Sequence, residues 1–225
     1  MSYYGVAQRC QDQPVVEGRT YAGRTLVERK AVRRERLIAA ALQEIGTRGY
    51  AATTVKDICS TAALTERYFY EQFLDREAIL AAVFDHVIEI VSGAAFAATK
   101  AAPPTRSARV RAGIRAFLTS LSEDPRRARV QLVEVVGQSP ALERRRFEAM
   151  LTFASFIEAE ATELEPSRSY TPGSRSHAIV MALVGGTNHL AMEWTLGELE
   201  MELDDLLDAV VALFEAAAAI PDLQS

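Results

Sequence analysis

Residues 37–83 read LIAAALQEIGTRGYAATTVKDICSTAALTERYFYEQFLDREAILAAV, and the spacing of the apolar side chains in this stretch decides the fold. Ile38, Ala41, Leu42 and Ile45 stand at i, i+3, i+4 and i+7, which lays an apolar stripe down one face of a helix. A helix is expected over Ala31–Thr47, with Gly49 as its stop. Thr54-Val55-Lys56-Asp57 is a capping-box pattern: the threonine hydroxyl accepts an amide N–H three residues on while the aspartate reaches back. The helix that starts there turns Val55, Ile58, Cys59 and Ala62 inward and makes Cys59 a small core residue. Thr65 is the next cap candidate, and Leu64 before it can pack on Phe69 as a hydrophobic staple.

Two short helices joined by about three residues make a helix-turn-helix, whose second helix can enter the ~12 Å wide major groove of DNA. Phe69 and Phe73, four apart, are expected to face inward. Glu66, Arg67, Tyr68 and Tyr70 are then left outward, the mixture of aromatic and basic groups that reads base edges and grips phosphates.

From Leu37 to Val83 the residues resemble, without a gap, the DNA-binding domain of TetR/AcrR-type transcriptional regulators. That family's usual pattern is an A-L-x-x-(F/I) helix, G-(Y/F), T-(T/V)-x-x-I-A, A-G-V-S, then L-Y-x-H-F-x-(S/N)-K-E. The resemblance implies DNA contacts from the threonine opening the second helix, from the third helix and its tyrosine, and from the cation opening the fourth. The candidate set is Thr54, Lys56, Thr65, Glu66, Arg67, Tyr68, Tyr70, Gln72 and Arg76. Three departures bear on it. Ala63 stands where glycine usually accepts a left-handed backbone, a strain of ~1 kcal/mol if that conformation is kept. Gln72 replaces a histidine and lacks its charge, while Glu71 opposes phosphate approach. Arg76 replaces a lysine, keeping the cation and adding a fork suited to phosphate oxygens.

Downstream, Asp75 to about Lys100 reads as one long amphipathic helix, and Pro103-Pro104 ends it. Further helices are expected over Arg106–Ser122, Arg126–Val136, Ala141–Leu164, His177–Leu199 and Leu203–Ala219. No run alternates with period two, so the chain is expected to be all-α with about nine helices: an N-terminal three-helix helix-turn-helix domain and a C-terminal helical bundle. The division reads 1–28 as a flexible arm, 29–74 as the DNA-binding domain and 75–225 as the ligand-binding and dimerisation domain. Arg19 or Arg24 on the arm can reach an adjacent minor groove; simple disorder is the competing reading.

The last two helices suit a second subunit. His177–Leu199 is apolar on nearly every side, and Leu203–Ala219 has a broad apolar stripe opposite Asp204, Asp205, Asp208 and Glu215. The arrangement resembles the family's dimer interface, which implies contacts from Leu183, Leu190, Leu206, Val210 and Phe214 and two reading heads set for half-sites ~34–36 Å apart. A thick monomer core is the alternative. Gly185-Gly186 inside a helix costs ~1 kcal/mol per residue relative to alanine, with close backbone approach as the expected compensation. The body also resembles the family's ligand-binding domain, so Phe84, Phe117, Phe147, Phe153, Phe156, Asn188 and Trp194 are pocket candidates, although each also suits ordinary packing. The ligand's identity is not readable.

Composition closes off other classes. Of 225 residues, 49% are apolar and only 12 are glycine and 8 proline, which excludes collagen-like, low-complexity and disordered chains. The two cysteines, Cys10 and Cys59, form neither a disulfide framework nor a zinc site. The N-terminus lacks the apolar stretch of an export signal, and the apolar run Ala178–Trp194 is broken by Asn188, His189 and Glu193, so a cytoplasmic protein with no membrane segment is expected. His86, His177 and His189 lie far apart, and no nucleophile elbow, phosphate loop or dinucleotide fingerprint occurs; neither a metal, a cofactor nor catalysis is expected. Net charge is −5 overall, but residues 1–80 carry +2 and residues 81–225 carry −7. The stretch Arg19–Leu37 alone holds seven basic and two acidic side chains. A basic end on an acidic body fits a dimeric DNA-binding regulator, in this family more often a repressor released by a small molecule, with duplex operator DNA, that ligand and a second copy as partners. The alternative is a helical interaction module whose basic end docks an acidic protein.

Overall fold

The computed structural model describes residues 26–166 and 171–220. Among them the elements are α1 (Leu26–Arg48), α2 (Val55–Thr61), α3 (Glu66–Tyr70), α4 (Arg76–Ala101), α5 (Arg106–Glu123), α6 (Pro125–Arg129), a π-helical segment (Val130–Glu134), α7 (Pro140–Leu164), α8 (Arg175–Leu196) and α9 (Leu203–Ala218). No strand occurs among the described residues. Side chains cap most starts: Thr54, Asp75, Thr105, Asp124, Ser139 and Ser174 each accept a backbone N–H of the first turn, satisfying donors that a helix start otherwise leaves open. Gly49 and Gly197, at φ +89° and +79°, follow the ends of α1 and α8 in the left-handed region where a side chain would be strained.

One continuous core joins the two parts of the chain. Leu37, Ala41 and Ile45 of α1, Ile58 of α2 and Phe69 of α3 close over Ile79, Leu80 and Val83 at the start of α4. The same α4 continues against α5, whose Ile114, Phe117, Leu118 and Leu121 meet α9. A smaller cluster, Ala154 with Val180 and Val184, seals α7 onto α8. α4 is long and apolar enough to cross a membrane by length and composition, but nine of its residues are buried in this core, as a central helix of a bundle requires.

Several boundaries differ from the sequence reading. α1 begins at Leu26, so residues 26–28 form its first turn instead of ending an arm; Arg19, Arg24 and Cys10 lie outside the described residues. The helix expected over Arg126–Val136 is α6 running into the π-helical turn, a wider winding whose extra residue leaves no mark in apolar periodicity. Gly185-Gly186 shows no close backbone approach within the chain: a Cβ on Gly185 would meet only Met150 Cε at 3.6 Å, and one on Gly186 would meet nothing within 4 Å.

The face of α9 assigned to a second subunit also requires correction. Leu206, Val210 and Phe214 are buried in their own chain, at 1%, 1% and 8% exposure, against the core that α5 shares. The reason is the apolar surface that α5 offers to Leu206, Leu207, Val210, Val211 and Phe214; at the solvent edge Arg115 meets Asp204, Arg111 meets Asp208, each at 2.7 Å, and Ser107 donates to Glu215. With the stripe of α9 turned inward, Ala209, Ala212, Leu213 and Ala216 are left exposed. Leu183 and Leu190 of α8 are half-buried, packed beside the main core, while Ala178, Ala182 and Gly186 face outward.

Candidate functional site

The helix-turn-helix is built on a short turn with one strained residue. The capping box of α2 is present, with Thr54 Oγ1 accepting from the Asp57 amide at 3.1 Å and the Thr54 amide donating to Asp57 Oδ2 at 2.9 Å. The Thr54 hydroxyl, which also donates to that carboxylate, holds Asp57 below the usual carboxylate range. Ala63 keeps the left-handed backbone at φ +49°. Arg36 on α1 steadies the turn by donating from Nη2 to the Ala62 carbonyl at 2.6 Å. Because Ala63 is solvent-exposed, Ala63→Gly is expected to relieve backbone strain without disturbing packing and to raise stability by ~0.5–1 kcal/mol, read as a higher urea midpoint at unchanged slope.

α3 has five residues and buries one of them, Phe69. Its ring is edge-on to Tyr70 at 5.3 Å and tilted against Phe73 at 5.7 Å. Inward anchoring of Phe69 and Phe73 turns the remaining side chains outward. Thr54, Lys56, Thr65, Glu66, Arg67 and Tyr70 are exposed, and Tyr68, Gln72 and Arg76 are half-buried. Thr65 caps α3 by backbone position alone, with no side-chain cap hydrogen bond. Arg67 lies along the surface with Nε 3.2 Å from Glu71 Oε1, an exposed i,i+4 pair of little energetic weight that orients the guanidinium.

Other basic residues brace this face, and sequence spacing did not point to them. Arg33 lies over the Tyr68 ring with Cζ 4.3 Å from its centroid, and Arg34 sits 4.6 Å from that of Phe73, so two residues of the basic run on α1 stack on aromatic side chains at and beside α3. Arg76 is drawn inward: its guanidinium donates to the Tyr50 and Thr53 carbonyls and stacks 4.7 Å from the Tyr50 ring centroid. It therefore positions the loop that starts α2. Burial pushes the Tyr50 hydroxyl above its ordinary range, and burial also raises the Cys59 thiol. Cys59 is 4% exposed in the core.

The helix-turn-helix is tied to the body at the π-helical segment. Glu134 accepts the Tyr50 amide N–H at 2.8 Å and binds Arg129 Nε at 2.8 Å, while Arg129 Nη1 donates to the Thr47 carbonyl at 2.8 Å. Arg126 bonds Gln43, and a Cβ on Gly46 would overlap that of Arg126, so α1 and α6 touch backbone to backbone at this point.

The body holds two adjoining chambers, the second of which touches the π-helical segment. The first, about 160 Å³, is walled by Phe96, Phe117, Phe153 and Phe156, with Arg109 and Glu160 at one end. The second, about 350 Å³, is lined by Phe84, Gln131, Leu132, Val136 and Met192 among others, and shares Phe153 and Asn188 with the first. Of the pocket candidates, Phe117, Phe153, Phe156 and Asn188 line the first chamber and Phe84 the second. Phe147 lines neither and is 52% exposed on α7, and Trp194 is held away by donating Nε1 to the Met201 carbonyl at 2.9 Å. Among the described residues no three His, Cys, Asp or Glu side chains gather as a metal site would require.

Comparison with known proteins agrees with this architecture. Residues 37–83 match the family model of bacterial regulatory proteins, tetR family. No curated protein matches the chain. The fatty acid degradation regulator FadR from Bacillus halodurans is 16% identical with a TM-score of 0.70, covering 84% of this chain and 96% of that one. FadR from Bacillus subtilis, solved with stearoyl-CoA, is 19% identical with a TM-score of 0.70 over 81% of this chain and 98% of its own. A TetR family transcription regulator from Marinobacter aquaeolei VT8 is 18% identical with a TM-score of 0.63, over 85% and 98%. At such identities the likeness is one of fold, and the fold is that of the TetR-type regulators.

Proposed function

We propose that this chain, which carries a tetR-type N-terminal domain on a helical body of the same fold class, is a homodimeric, sequence-specific DNA-binding repressor released by a small apolar ligand. The observation that carries the reading is the division of α3: Phe69 holds it to the core while Thr65, Glu66, Arg67 and Tyr70 stand in solvent. A rod so short has no packing function that needs those residue types; a DNA groove does.

A second copy is the proposed occupant of the small-residue face made by Ala178, Ala182 and Gly186 of α8 with Ala209, Ala212 and Leu213 of α9. Leu213 is 54% exposed there, and the open space beside Gly186 lets a partner helix approach closely. The two chambers are the proposed ligand site. Their phenylalanine walls suit an apolar body, as does the acyl chain of the ligand bound by the Bacillus subtilis regulator. Release follows if the ligand favours a spacing of the two heads that fits the operator poorly, and by reciprocity operator DNA must then weaken the ligand. The Arg129–Glu134 strap supports this coupling, since it joins the chamber wall to Thr47 and Tyr50.

Selection of bound sequences from a random DNA pool, with excess competitor, tests the reading. The expected yield is a two-fold symmetric site. In gel shifts on that site Arg67→Ala should cost ~1–3 kcal/mol and relax base preference. Tyr70→Phe and Arg76→Ala should weaken all sequences alike, by ~1 kcal/mol for a lost phosphate hydrogen bond in the first case. No enrichment, unchanged affinity in all three variants, or a strictly monomeric protein in sedimentation would leave the acidic-partner module as the better account.

A further inference from the structure

The charged groups around the chambers already hold one another. Arg109 donates from Nη1 to Glu160 at 2.8 Å and from Nη2 to Glu163 at 2.9 Å. Lys100 bridges the same two carboxylates, and Arg106 pairs with Glu165. At the second chamber Arg146 meets Glu143 at 3.2 Å, and His189 lies 3.2 Å from Glu193. An anionic ligand would have to take a cation from a carboxylate already bound to it, at a loss of charge-assisted bonds. Three side chains that line the chambers carry a buried polar atom outside any hydrogen bond: Arg106 through Nη2, Arg109 through Nε and Gln131 through Oε1. Both guanidiniums are already engaged with Glu165, Glu160 and Glu163, so Gln131 is the one of the three without a charged partner. Gln131 is 5% exposed, lines the second chamber, and its Oε1 has no hydrogen-bond partner. A buried acceptor left unbonded is worth more to a ligand that satisfies it than a bond made in water. Gln131 also sits on the π-helical segment between Arg129 and Glu134, so whatever bonds it bears on the strap to the reading head.

We infer that Gln131 reads the polar group of an uncharged, largely apolar ligand. Its Oε1, closed to solvent in the chain as it stands, turns with the side-chain amide to accept a hydrogen bond from a hydroxyl or amide N–H in the second chamber, while the ligand's body extends past Phe153 and Asn188 into the first. This rests on the ligand-responsive reading above and narrows it to a class.

The test uses the full chain and three probes with one body: 4-hexylphenol, 4-hexylanisole, which lacks the donor, and 4-hexylbenzoate, which is anionic. Calorimetric titration should find the phenol bound about tenfold tighter than the anisole, with the benzoate weakest. Gln131→Met, of similar shape, should bind phenol and anisole alike and melt no lower than wild type. Equal affinities in wild type, a preference for benzoate, a phenol preference that survives in Gln131→Met, or binding of none of the three each overturns the assignment. DNA retention with and without 4-hexylphenol is followed in parallel. Selective binding that leaves DNA affinity unchanged defeats the ligand-responsive reading but keeps Gln131 as the reader. Release of DNA without phenol selectivity does the reverse.

Discussion

Phe69→Ala is expected to remove ~3–5 kcal/mol of stability from the reading head and, with it, all sequence-specific DNA binding. Phe69 is completely buried and is the only buried residue of the five in α3. A helix that short has no stability of its own, because it cannot recover the cost of its first turn. Its orientation therefore depends chiefly on this ring, which sits in the shared core against Phe73, with the Arg33–Tyr68 stack as a lesser brace. Truncation leaves a cavity beneath the helix and frees Arg67 and Tyr70 to point anywhere. Urea unfolding read by near-ultraviolet circular dichroism, with gel shifts on the selected site, checks both parts. A variant that keeps its DNA affinity while losing stability would show that α3 is oriented by something other than this contact.

Arg109→Leu is expected to cost ~3–5 kcal/mol in the body while leaving the reading head intact. Arg109 and Glu160 are 8% and 7% exposed, and removal of the guanidinium leaves the Glu160 carboxylate out of water with Lys100 as its remaining cation. Glu163, held below the usual carboxylate range by Lys100 first and Arg109 second, lies nearer solvent and keeps its lysine. Replacing the buried pair together, as Arg109→Leu with Glu160→Leu, should recover most of the loss, since both desolvation penalties disappear with the charges. Guanidinium unfolding of the single and double variants supplies the comparison. A loss under ~1 kcal/mol in the single variant would mean that water screens the pair as it does at a surface.

Legibility in the sequence followed locality. The Thr54–Asp57 box, the stop at Gly49 and the inward turn of Phe69 and Phe73 all depend on residues within a turn of one another, and each was readable before any coordinates. The left-handed Ala63 was a conditional reading from the family pattern, with an altered turn as its alternative, and the backbone kept it. The inward bonds of Arg76 were not readable in this way. The family resemblance marked it as a DNA contact; that it also holds the Tyr50 and Thr53 carbonyls, more than 20 residues away, no local pattern could state. Likewise the basic run on α1 was visible as charge, whereas the stacking of Arg33 on Tyr68 required α1 to cross α3. Leu206, Val210 and Phe214 formed a clear stripe, yet a stripe does not state which neighbour it meets; the apolar face of α5 decided that.

Helix periods and caps depend on bonds that close within a few residues, so the order of helices and the helix-turn-helix were determined along the chain itself. The rotation of each helix against the next was decided only on folding, because side chains far apart in sequence must share one dense interior and satisfy one another's charges there. That is why the helix-turn-helix could be recognised from its residues alone. The unbonded amide oxygen of Gln131 and the strap from Glu134 to Tyr50 exist only where the π-helical turn meets its neighbours in space, and the paired cations only where α4, α5 and α7 do.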